Sequence, residues 1–80
     1  MDNNILTLNN VAEGQVARVK QLLSQGTMRR RLLDLGLVEG TEIICLQKSP
    51  TGDPVAYFIR GAVIALRSED SCKILVEKAL

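Results

Sequence analysis

Few side chains in this sequence could do chemistry, and their types decide what is excluded. There is no histidine, so a Ser–His or Cys–His pair cannot be assembled and the commonest imidazole metal ligand is missing. The two cysteines, Cys45 and Cys72, form no CxxC spacing, and two isolated thiols do not make a tetrahedral zinc site. Cys45 falls in the β-branched run EIICLQK and is expected as a small apolar filler. Cys72 follows a polar turn and is expected to be partly exposed; a metal pair or disulfide with Cys45 is the lesser alternative. The carboxylates are scattered. Glu69-Asp70 is the one adjacent pair, and the first turn of a capped helix explains it better than a metal site short of oxygen ligands. No glycine pattern matches a phosphate-binding or dinucleotide-binding loop. The chain reads as a non-enzyme, with no catalytic, cofactor-binding or metal-ligating residue to name.

What remains is a run of charge, Arg29-Arg30-Arg31. Ten basic residues stand against nine acidic ones, for a net charge of +1. That balance argues against a nucleic-acid partner, which needs a broad positive field. Tyr57 and Phe58 are the only aromatics, too few for a base-stacking platform. The arginines lie in a predicted helix over 27–35. Thr27 is its expected N-cap, Met28, Leu32 and Leu35 form its apolar stripe, and Gly36 is its left-handed C-terminal stop. Asp34 is spaced to pair with Arg30 and Arg31. Leu33 falls on the outer side of this helix, between Arg29 and Arg30. An incidental surface leucine would explain it, but arginine is the charge favoured in interfaces. Arg29, Arg30 and Leu33 are therefore the candidate partner-binding residues, with Phe58 as a second apolar candidate.

These residues must be positioned by one small domain, which is all that 80 residues allow. The composition, 46% hydrophobic and 24% charged, is that of a folded chain. The segment MDNNILTLNN does not read as a signal peptide, and no apolar run is long enough for a membrane span; the expectation is a soluble, intracellular protein. Residues 1–13 read as a polar lead-in anchored by Leu6, Leu8 and Val11. QVARVKQLL reads as a strand with a bulge between Ala17 and Val19. After the helix come EIICLQK, the loop SPTGDP, then VAYFIR with Val55, Tyr57 and Ile59 on one face. AVIALR follows with Ile64 and Leu66 inward, then a single helical turn at Ser68–Ser71, then KILVE with Ile74 and Val76 inward. About five short strands in so small a chain favour a closed or nearly closed barrel. Ile44, Leu46, Ala56, Phe58, Val63 and Ala65 fall opposite the inward set, and any left bare would form an apolar patch.

Arg31-Leu32, Leu35-Gly36-Leu37 and Gly40-Thr41, then Gly52-Asp53-Pro54, then Ile64 to Arg67, then Ile74 with Val76 together resemble the ferrous-iron transport protein A (FeoA) family. Its members show an R-L-x-x-L-G-L-x-x-G-T stretch, a G-D-P loop, an apolar-L-R strand and an I-x-V ending. The likeness runs from about Gly14 to Glu77. It implies a mainly β fold, a small SH3-like barrel with a short helical insertion after the first strand. The whole chain, 1–80, would be one such domain, with 1–13 as lead-in and 14–77 as core. It implies a cytoplasmic accessory whose partner is the cytoplasmic GTP-binding part of a membrane ferrous-iron transporter, with no nucleic-acid partner, no membrane insertion, and a monomeric or weakly oligomeric state. Fe2+ enters by family association only, since no cofactor is evident in the residues. A similar domain ends some metal-dependent repressors, so a transition-metal-binding regulatory module is the alternative role.

Overall fold

The computed structural model describes residues 4–79. In chain order the elements are β1 (Ile5–Thr7), a 3-10 turn (Leu8–Asn10), β2 (Val16–Leu22), α1 (Gly26–Asp34), β3 (Glu42–Lys48), β4 (Val55–Ile59), β5 (Ala62–Leu66), α2 (Ser68–Ser71) and β6 (Ile74–Ala79). The strands make one antiparallel sheet in the order β1-β6-β2-β3-β4-β5. This is the expected mainly β barrel, with six strands where the sequence suggested about five. The additional one, β1, lies in the segment read as a lead-in; Ile5, Leu6 and Thr7 pair with Glu77, Val76 and Leu75. Leu8 and Val11 then turn down into the core, both buried.

Alternation puts Val55, Tyr57 and Ile59 of β4 and Ile74 and Val76 of β6 inside, as expected. In β2 the inward residues are Ala17, Val19 and Leu22. The period slips because the ladder with β6 shifts between Val19 and Gln21, two residues later than the sequence suggested. A bulge adds one residue, and that residue returns Leu22 to the inner face. Cys45 is a buried core filler, and neither cysteine is in a disulfide.

The connections are made by residues suited to them. β4 and β5 are joined by Arg60-Gly61, with φ of 48° and 84°, the two left-handed positions that a tight type I′ hairpin turn requires. At the other end of β4, Asp53 reaches across to α2. Its Oδ1 accepts a bond from the Ser68 N–H at 2.8 Å and its Oδ2 lies 3.4 Å from the Ser68 hydroxyl. The single helical turn is thus capped by the carboxylate of the Gly52-Asp53-Pro54 loop, while Arg67 at its N-cap position makes no side-chain cap bond.

Candidate functional site

α1 begins one residue earlier than expected, at Gly26, and ends at Asp34. Thr27 is not its N-cap. Gln25 holds that place and makes no side-chain bond, so nothing in the local sequence closes the first turn. The C-terminus is closed well. Leu37 N–H donates to Leu32 O at 3.0 Å and Gly36 N–H to Leu33 O at 2.9 Å, with Gly36 at φ 95°. That is a Schellman ending, and its usual hydrophobic contact is supplied by Leu32 and Leu37, both fully buried. Met28 and Leu35 are only partly buried against the core.

The loop after α1 is braced by Thr41. Its hydroxyl donates to Gly36 O at 2.7 Å and accepts from the Val38 N–H at 3.3 Å. Gly40 N–H donates to Val19 O and Val19 N–H to Thr41 O, which ties the loop to β2. The R-L-x-x-L-G-L-x-x-G-T stretch therefore builds one rigid corner: helix, stop, brace and return.

The four candidate residues occupy three places. Leu33 is 41% exposed and Val38 48%; with Arg29 they border a shallow groove of about 230 Å³ over β2. Arg29 is partly structural, since its Nη1 donates to Leu22 O at 2.9 Å and holds the helix to β2. Arg30 lies on the other flank of α1, where it lines a hollow of about 680 Å³ with Gly26, Arg31, Asp34 and Leu35. Phe58 is on the outer face of the sheet, in a cleft of about 390 Å³ with Ile44, Thr41 and Arg60. The geometry thus joins Leu33 to Arg29 and separates both from Arg30 and Phe58. Val38 was missed from sequence because it sits in a turn, where no periodicity assigns a face; its place beside Leu33 follows from the Schellman ending.

The outer face of the sheet is apolar across four strands. Val16 pairs with Ile44, Ile44 with Phe58, and Phe58 with Val63. Phe58 is 38% exposed and Val63 65%. Beside this row, Arg18 stands opposite both Glu42 and Glu77 and forms a salt bridge with Glu42 at 3.7 Å. Among the described residues that is the one ion pair. Asp34 pairs with neither Arg30 nor Arg31, against the expectation from spacing.

No group of three or more Cys, Asp or Glu side chains is gathered for a metal ion among the described residues. Burial pushes the Cys45 thiol up, with Lys48 opposing, the reverse of what a reactive thiolate needs. Cys72 is exposed and its Sγ lies 3.5 Å from Glu69 O. No described helix is long and apolar enough to cross a membrane.

A small antiparallel β-barrel with one helix inserted after its second strand, presenting apolar surface rather than a reactive centre, is an SH3-like domain. The FeoA domain matches residues 6–78, and the chain belongs to the FeoA family. It is 36% identical over 72 residues to the Fe(2+) transport protein A/Fe(2+) transporter FeoB fusion protein of Porphyromonas gingivalis, covering 90% of this chain and 8% of that relative's length. Among solved structures it resembles the FeoA protein of Chlorobium tepidum, with TM-score 0.89 and 31% identity over 94% of this chain and 71% of the other. It also resembles the zinc complex of Stenotrophomonas maltophilia FeoA, with TM-score 0.81 and 26% identity over 90% of this chain and 89% of the other. A manganese-dependent transcriptional repressor shares the fold alone, at TM-score 0.83 and 17% identity over 94% of this chain and 42% of the other.

Proposed function

We propose that this domain is an accessory of ferrous-iron uptake that docks on the cytoplasmic GTP-binding part of a membrane ferrous-iron transporter. The observation that carries the reading is the fusion relative, in which a domain 36% identical to this one shares a chain with the transporter. Covalent linkage raises the effective concentration of one module at the other, which is useful where the two act together. The docking surface is α1, where Leu33 and Val38 supply exposed apolar area beside Arg29 on one flank and Arg30 adds a contact on the other flank of the same helix. The domain regulates by binding one state of the transporter more tightly than another, since only differential affinity shifts such an equilibrium.

Titration of the transporter's separately expressed soluble part into this chain, followed by calorimetry, tests the reading. The double variant Leu33→Asp, Arg30→Glu is expected to weaken binding by about tenfold or more while its circular dichroism stays unchanged. A folded double variant that binds normally removes this surface from the proposal. Absence of binding by the unaltered chain removes the partner.

A further inference from the structure

β5 is the end of the sheet and is bonded on one side only, to β4. Its sequence, AVIAL, carries no charge and no proline, and its five pairs with β4 run without a bulge. Those are the devices that blunt an exposed edge, and β5 has none of them. The Arg60-Gly61 turn fixes which groups are free. In a two-residue hairpin the flanking pair Ile59–Ala62 exchanges bonds, and so by alternation do Tyr57–Ile64 and Val55–Leu66. Val63 and Ala65 therefore turn their N–H and C=O groups outward, and neither makes any other main-chain bond among the described residues.

We propose that β5 pairs with β5 of a second copy of this chain, antiparallel about a two-fold axis at Ile64. In that register Val63 and Ala65 of one copy exchange main-chain hydrogen bonds with Ala65 and Val63 of the other. The side chains match as well. Val63, the most exposed large hydrophobic residue of the described chain at 65%, meets the small Ala65. Ile64, half-buried in one copy, faces Ile64 and gains cover. Arg67 falls opposite Gly61, which has no side chain. Arg60 does not oppose it, because its stem runs over Gly36, towards β3 and away from the free edge. No like charges meet, so a second copy fits the edge without a repulsive contact. The operation is closed, leaving no further β5 edge to propagate. It also joins the two outer apolar rows: Val16, Ile44, Phe58 and Val63 of one copy lead into Ala65 and Ala56 of the other.

Analytical ultracentrifugation of the chain alone, from about 10 μM to about 1 mM, tests this, since a single strand pairing is a small interface of modest affinity. A reversible monomer–dimer equilibrium is expected. Amide exchange should show Val63 and Ala65 becoming protected as concentration rises. Val63→Lys charges the edge, and Ala65→Pro removes an N–H that the isolated domain does not use, a change edge strands tolerate. Each is expected to raise the dimer dissociation constant about tenfold or more with the fold retained by circular dichroism. A chain that stays monomeric throughout the range overturns the proposal, as does a dimer that a folded Val63→Lys variant leaves unchanged. Protection of these amides only when a foreign peptide is added assigns the edge to another partner and also overturns it.

Discussion

Gly36 carries two constraints at once. Its φ of 95° lies in the left-handed region, and a Cβ there would overlap Arg60 Cδ. Gly36→Ala is expected to cost about 1–3 kcal/mol in urea denaturation. Adding Arg60→Ala should restore the part due to overlap and leave the part due to backbone strain. Tyr57 bears on stability at alkaline pH. Burial pushes its phenol up to about 12 from 10.0. An acid whose folded pKa is raised contributes stability below its unfolded pKa and loses it as pH rises through the folded one. Stability should therefore fall above pH 10, by about 2 kcal/mol at pH 12, with the Cys45 thiol adding loss of the same sign. Tyr57→Phe should remove the phenol's share of the slope in urea midpoints measured across that range. Both residues were legible in part. Gly36 follows an apolar helix stripe, the mark of a C-terminal stop, whereas its contact with Arg60 joins segments distant in sequence and has no local signature.

At the scale of elements, strands with regular alternation were readable and those defined by a distant partner were not. Val55, Tyr57 and Ile59 repeat at a period of two, so β4 announces its face. β1 is three residues long and is a strand because β6 lies beside it; Ile5–Thr7 alone has too little pattern to show that. α2 was expected to be capped locally, yet its cap is Asp53 from the loop before β4. Asp53→Ala is thus expected to destabilise the domain by about 1 kcal/mol, and Asp53→Asn by less, since it keeps an acceptor; thermal melts compare the two. α1 differs again. With no side-chain N-cap bond, it depends on Leu32 in the core, on its Schellman ending and on the Arg29 bond to Leu22. Periodicity identified Leu32, but the Arg29 bond could not be read from an arginine run.

For the whole molecule, the candidate residues form separate surfaces rather than one. Leu33 lies over β2 and Phe58 on the outer sheet face. If one partner used both, Leu33→Asp and Phe58→Asp would each weaken binding; if it docks only on α1, calorimetry should find Phe58→Asp neutral. The sequence identified Leu33 and Phe58 as apolar residues on outward faces, but their separation depends on the path of the barrel, set by pairings between distant strands. The β1–β6 pairing has a mechanical corollary. Ile5 lies opposite Glu77, so the chain enters and leaves this described body at one corner, and the domain could sit on a longer chain as a side module. Tension between those two points would act across the β1–β6 ladder rather than along it. The strand would unzip pair by pair from the end where the Lys78 N–H donates to Asn4 O.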